Sequence, residues 1–188
     1  KSHFVKDLQA EFGERLSIVS LDNYYLPRAS IAKDDQGFYN YDTPDALDLN
    51  ALQNDLQTLQ KGYAISRKQY AFERQDEAPM LHITPAPLIG VEGLFVFHLP
   101  WLRAMANLQV FLHIEPEEAL RRRLHRDVKE RDIDEDTVYY QWRAHVLPAY
   151  QHFLEPYRDT VDLVIPVVPG YAKGYRILAD HLWMKAKA

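Results

Sequence analysis

A lysine followed by a serine at the head of an amphipathic run, Lys1-Ser2 before His3 to Phe12, matches the end of a phosphate-binding loop. In the full motif, G-x-x-x-x-G-K-[ST], the lysine reaches terminal phosphates, the hydroxyl meets a metal ion and backbone N–H groups cradle the anion. The dipeptide alone says little, and an ordinary chain end explains it as well. Two acids stand where chemistry would need them. Asp22 follows the apolar run Leu16 to Leu21, and Glu92 lies inside or near the end of a second run, Pro87 to Phe97. If those runs are parallel strands, ligands bind beyond their carboxyl ends, beside both acids. Asp22 could equally begin a turn, and Glu92 could be a structural loop carboxylate. Arg123 and Arg126 are spaced i, i+3 and share one helix face, while Arg121 and Arg122 are read as solvated. The chain has no cysteine, which excludes disulfides, thiolate zinc sites and cysteine nucleophiles. Its eight histidines form no H-x-x-x-H pair and are read as scattered, not as a metal site.

The elements that must position these residues alternate along the chain. Leu16 to Leu21, Pro87 to Phe97, Leu108 to Ile114 and Val161 to Val168 are short continuous apolar runs suited to strands buried on both faces. Between them, Leu49, Leu52, Leu56 and Leu59 recur on one helix face, with Gly62 placed as a C-cap. Pro116 suits the first turn of a helix through Arg131, and Glu117 and Glu118 suit its dipole. Tyr139 to Tyr157 is expected to be helical with a kink at Pro148, and a last helix is expected over Tyr175 to Lys185.

Strands separated by helices imply parallel pairing through right-handed crossovers, hence a three-layer α/β sandwich in a single domain over residues 1–188. Apolar residues make up 47% and charged residues 26%, as in ordinary globular proteins. The net charge of −5 argues against a broad nucleic-acid surface. No apolar run approaches the roughly 20 residues of a membrane span. The absence of cysteine fits a cytoplasmic address. A chain opening in a helix lacks the first strand of such a fold, so a strand and glycine loop are expected upstream of Lys1.

Six blocks, in order, carry a resemblance to a known family. They are Val19-Ser20-Leu21-Asp22-Asn23-Tyr24-Tyr25, Asn40-Tyr41-Asp42-Thr43-Pro44-Asp45-Ala46-Leu47-Asp48, Tyr70-Ala71-Phe72, Val91-Glu92-Gly93-Leu94, the arginine run Arg121 to Arg131, and Gln141 through Asp162-Leu163-Val164-Ile165-Pro166. Together they resemble the uridine kinase branch of the P-loop kinases, in the phosphoribulokinase/uridine kinase superfamily. The resemblance implies a P-loop nucleoside kinase fold with a lid around residues 121–140. It implies transfer of a phosphoryl group from ATP or GTP, with Mg2+, to the 5′-hydroxyl of uridine or cytidine in pyrimidine salvage.

Carried over residue by residue, the resemblance makes Asp22 the acceptor of the hydroxyl proton. Lys1, Ser2, Arg126 and Arg131 become phosphate contacts, and Ser2, Asp22 and Glu92 the metal side. Arg123 and Arg126 would close over the phosphates. Asp42 would grip the ribose diol, and Tyr41, Tyr70 and Phe72 would wall the base. Tyr25 would border the sugar, and Arg123 and Gln141 would lie near the nucleoside. The implied partners are small molecules, with no nucleic acid or membrane, and an oligomer of this chain.

Two departures stand out. Asp132-Ile133 replaces the Gly-Arg that usually follows Glu-Arg in the lid. Gln75 stands where uridine-specific members carry histidine; an amide both donates and accepts, so a pyrimidine still fits. The same superfamily resemblance admits other acceptors, such as nicotinamide riboside, pantothenate or a sugar phosphate. It also admits a non-catalytic relative.

Overall fold

A computed structural model describes residues 1–71 and 78–187. They fall into two compact units, Lys1–Val96 with the segment from Tyr175 onward, and Phe97–Gly174. Each is described by itself.

In the first unit, helix α1 (Ser2–Phe12) buries Phe4, Leu8 and Phe12 along one face, the i, i+4, i+8 stripe of a packed helix. Strand β1 (Leu16–Ser20) follows and gives way to a 3-10 turn, Leu21–Tyr24. Ser20 caps that turn, its Oγ accepting from the Asp22 N–H at 3.3 Å. Helix α2 (Leu49–Gln60) is capped by Asp48 and buries Leu52, Leu56 and Leu59. As expected, Gly62 ends it in the left-handed region, with φ 86°, while the Tyr63 N–H reaches back to the Thr58 carbonyl at 3.1 Å.

Strands β2 (Ile65–Lys68) and β3 (Met80–Ile83) pair antiparallel. Strand β4 (Leu88–Glu92) pairs parallel to β1, with Leu16 opposite Leu88 and Ser20 opposite Glu92. The run expected to stay extended to Phe97 stops at Glu92. At Gly93 a Cβ would stand 2.5 Å from Leu21 Cβ, so only glycine lets the chain turn so close to the end of β1.

The segment from Tyr175 packs on α1 through Glu11. This carboxylate accepts from Tyr175 Oη at 2.7 Å, Arg176 Nη2 at 2.7 Å and Trp183 Nε1 at 3.0 Å. Trp183 also stacks on Phe12 at 4.7 Å.

The second unit holds α3 (Pro100–Met105), β5 (Val110–His113), α4 (Pro116–Arg131), α5 (Glu135–Gln141), α6 (Leu147–Phe153) and β6 (Leu163–Pro166). β5 and β6 pair parallel from Val110 opposite Leu163 to His113 opposite Pro166. α4 has the expected bounds, and Asp132 ends it in the left-handed region at φ 52° and ψ 35°. The Ile133 N–H closes the end on the Asp127 carbonyl at 3.0 Å.

The helical run expected over Tyr139 to Tyr157 begins earlier and is broken at Trp142–Val146, a π turn between α5 and α6. Pro148 lies in the first turn of α6, just beyond that wide turn. Its missing N–H and its ring are tolerated where the α ladder is already interrupted.

The C-terminal helix, α7 (Ala172–Ala186), runs from one unit into the other. The architecture is thus mixed α/β with two parallel strand pairs. The hydrogen-bonded strands of the described residues form three two-stranded sheets. Among the described residues no helix is long and apolar enough to cross a membrane.

Candidate active site

The register of β1 and β4 brings their carboxyl ends together and puts one acid on each. Glu92 is the last residue of β4, and Asp22 sits two residues past β1 in the 3-10 turn. Both face the Lys1 ammonium, whose Nζ is 2.7 Å from Glu92 Oε2 and 3.6 Å from Asp22 Oδ2. Burial disfavours the ammonium, yet the nearby Asp22 and Glu92 carboxylates outweigh it and hold the Lys1 pKa above the ordinary lysine value. Glu92 Oε2 is shielded from solvent and makes no hydrogen bond of normal geometry, although this cation stands beside it. Ser2 is exposed at the start of α1.

An aromatic wall adjoins the acids. The Tyr25 ring meets Tyr41 edge-on at 5.6 Å and Tyr70 at 5.5 Å, and Tyr39 lies 6.4 Å from Tyr41. A short antiparallel bridge, Tyr25 with Leu47, delivers this geometry. The Leu26 N–H donates to the Ala46 carbonyl and the Asp48 N–H to the Tyr24 carbonyl, both at 2.8 Å. That bridge folds the Asn40 to Asp48 block back onto the segment after β1. The Asn40 side chain holds the Asp42 N–H at 3.0 Å. Burial first, then the charges of Asp22 and Asp42, push the Tyr25 phenol far above its ordinary pKa. Tyr25 is therefore a neutral O–H group in the electrostatic reach of both acids.

The turn after β1 is fastened on two further sides. The Asn23 side-chain carbonyl accepts from the Tyr70 N–H at 2.8 Å. Tyr24 Oη donates to Asp55 Oδ2 at 2.8 Å, and Arg67 Nε pairs with the same oxygen. The Arg67 guanidinium also lies over the Tyr24 ring at 4.9 Å. Neither Asn23 nor Asp55 stands out in the sequence, since their roles come from contacts far along the chain.

In the second unit the expected arginines share one counter-ion. Asp127, buried in α4, accepts from Arg126 Nε at 2.7 Å and Arg131 Nη1 at 3.0 Å, and pairs with Arg123 Nε at 3.2 Å. Burial alone would raise its pKa, but the Arg126 hydrogen bond and the three arginine charges win and lower it. Arg123 Nη2 donates to Gln141 Oε1 at 3.0 Å, joining two of the expected residues directly. Arg121 and Arg122 are exposed and pair with Glu118, as their solvated reading expected. Asp127 escapes a reading by residue type, although its i, i+4 spacing from both Arg123 and Arg131 is a usable signal. Phe72 and Gln75 lie outside the described residues.

The chain is similar to known proteins over most of its length. The model of the Phosphoribulokinase / Uridine kinase family matches residues 1–172. A uridine kinase of Clostridium perfringens (strain SM101 / Type A) is 28% identical over 168 residues, 88% of this chain and 81% of that protein. Uridine kinase-like protein 3 of Arabidopsis thaliana is 30% identical over 180 residues, 95% of this chain; the chain spans 39% of that relative's length. Among solved structures, a candidate fructose transport system kinase from Silicibacter sp. TM1040 superposes with a TM-score of 0.68, covering 88% of this chain and 83% of that one. At 15% identity that likeness speaks for the fold alone. With acids at the ends of two parallel strands, a lysine between them and a family match over most of its length, the chain belongs to the Phosphoribulokinase / Uridine kinase family.

Proposed function

We propose that this protein is a nucleoside kinase that transfers the terminal phosphoryl group of ATP or GTP to the 5′-hydroxyl of uridine or cytidine. The observation that carries the reading is the convergence of Asp22 and Glu92 on Lys1 at the carboxyl ends of β1 and β4, with the Tyr25 phenol in the electrostatic reach of Asp22 and Asp42. On this reading the fold is a three-layer P-loop sandwich, acting in pyrimidine salvage in the cytoplasm.

Phosphoryl transfer asks for alignment and charge neutralisation more than for covalent help. The acceptor sits against Tyr25, Tyr41 and Tyr70, with its ribose diol donating to Asp42. Asp22 takes the proton of the 5′-hydroxyl as that oxygen bonds to the terminal phosphorus. The bond from phosphorus to the bridging oxygen breaks, and the nucleoside diphosphate leaves with its electron pair. Lys1 neutralises the terminal phosphates.

The donor set suits magnesium. Glu92 and Asp22 are hard oxygen ligands that already hold a cation, the Lys1 ammonium. Among the described residues no larger cluster of metal-ligating side chains competes with them, and magnesium is usually held by one or two carboxylates with waters and phosphates. Ser2, Asp22 and Glu92 would hold it, and when bound the ion neutralises charge on the phosphates.

The test is a panel of uridine, cytidine, nicotinamide riboside, pantothenate and sugar phosphates, run with ATP and magnesium on wild type and Asp22→Asn. Uridine or cytidine should be phosphorylated, with kcat falling about 10²- to 10⁴-fold in the variant. Equal turnover by the variant would remove Asp22 from the mechanism, and turnover of another acceptor alone would replace the nucleoside.

A further inference from the structure

We propose that Asn23 is a positioning residue that sets the acceptor pocket's aromatic wall at a fixed distance from the Asp22 carboxylate. The inference rests on the kinase reading above and adds a specificity element to it.

Asn23 neighbours Asp22 in the 3-10 turn Leu21–Tyr24, which Ser20 caps at the end of β1. Its side-chain carbonyl accepts the backbone N–H of Tyr70 at 2.8 Å, bridging 47 residues of sequence. Tyr70 follows β2, and its ring meets Tyr25 at 5.5 Å. The tether therefore joins the loop beyond β2 to the turn that carries Asp22. Tyr24, bound to Asp55 and stacked under Arg67, fastens the same turn to α2 and to β2 itself.

These two fastenings differ in kind. The Tyr24–Asp55–Arg67 group ties side chain to side chain, so it fixes the turn against the scaffold. The Asn23 contact takes hold of backbone, so it fixes the path of residue 70 and with it the Tyr70 ring. A serine at this position would carry a shorter side chain with one oxygen. Asparagine reaches further and presents a planar carbonyl to the amide. The residue should thus govern how well the acceptor is held and leave the phosphate end of the site alone.

The test compares wild type, Asn23→Leu and Asn23→Asp in the full-length protein. Leucine keeps the volume but removes the Asn23 oxygen from the Tyr70 N–H, whereas aspartate keeps an acceptor oxygen in place. Asn23→Leu should raise the KM for the nucleoside by roughly tenfold, the effect of losing one hydrogen bond, with the KM for ATP within twofold of wild type. Hydrogen exchange at the Tyr70 amide should accelerate in Asn23→Leu and return toward wild type in Asn23→Asp, together with the nucleoside KM. An unchanged nucleoside KM in Asn23→Leu overturns the proposal. So does an equal rise in both KM values, which would mark general loosening of the fold. If wild type turns over no acceptor in the panel, the kinase reading itself fails and the positioning role falls with it. Turnover by wild type with an indifferent Asn23→Leu removes the tether alone.

Discussion

Replacing Asp127 by asparagine removes one buried charge and leaves three cations facing the gap. The Asp127 side chain is 2% exposed, while Arg123, Arg126 and Arg131 are 21%, 46% and 30% exposed. Hydrogen bonds to a charged group are worth about 1.5–3 kcal/mol each, and Arg126 and Arg131 each make such bonds to this carboxylate. They do not add, because they share one acceptor and because partly exposed guanidinium groups recover water when the partner is lost. Asparagine also keeps one acceptor oxygen, although its NH2 group turns a donor toward three donors. The net loss should be about 2–3 kcal/mol, which for a chain of this size lowers the Tm by roughly 5–10 °C.

Urea unfolding followed by circular dichroism at pH 7 measures this directly. A loss under about 0.5 kcal/mol would refute the assignment of Asp127 as the anchor of the arginines. The pH dependence gives an independent check. Asp127 has a lowered pKa in the fold, so its stabilisation is fully present above the unfolded value of about 3.9 and is lost as pH falls through the folded value. The stability gap between wild type and Asp127→Asn should stay constant from about pH 7 to 5 and shrink below about pH 4. A gap that does not narrow in acid would mean that the carboxylate charge is not its source.

Two further substitutions probe the backbone. Asp132 sits in the left-handed region, which costs an L-residue with a Cβ more than glycine. Asp132→Gly should therefore stabilise the protein by about 0.5–1 kcal/mol in the same urea experiment, and a loss of stability would show that the aspartate side chain compensates for its strain. Gly93→Ala would press a methyl group to within 2.5 Å of Leu21 Cβ, so it should destabilise by about 1–3 kcal/mol and lower turnover by displacing Glu92. An alanine variant with wild-type stability would show that the chain at Gly93 can give way cheaply.

Much of the frame was legible because its signals are local. β1 and β4 lie within continuous apolar runs, and α4 begins at its proline and ends at the residue that replaces the lid glycine. At the Asp132 departure the aspartate takes up a left-handed conformation, which glycine would adopt without strain. The β2–β3 pair was not legible. Ile65-Ser66-Arg67-Lys68 is short and polar, and its pairing partner is set by tertiary contact rather than by an apolar pattern.

The site divides in the same way. Asp22 and Glu92 follow from the rule that ligands gather beyond parallel strand ends. Lys1 is readable as a phosphate contact only through the motif and the resemblance around it; its ammonium between the two acids is a tertiary feature. Asn23 and Asp127 are common polar residues made special by a contact 47 residues away and by burial among arginines. No propensity or spacing rule encodes the first of these.

The turn after β1 explains how one short segment can serve several walls at once. A 3-10 helix has three residues per turn, so successive side chains fan out by about 120°. Asp22, Asn23 and Tyr24 accordingly address three separate partners: the Lys1 ammonium, the Tyr70 amide and the Asp55 carboxylate. Continued as a strand, the same residues would alternate between opposite faces, sending Asp22 and Tyr24 to the same side. The 3-10 geometry thus sends the Asp22 carboxylate, the Asn23 tether and the Tyr24 anchor in three directions from consecutive residues. The turn fixes the directions in which these three side chains leave the end of β1, and the Tyr70 and Asp55 contacts then hold their partners there, next to the register that pairs Ser20 with Glu92.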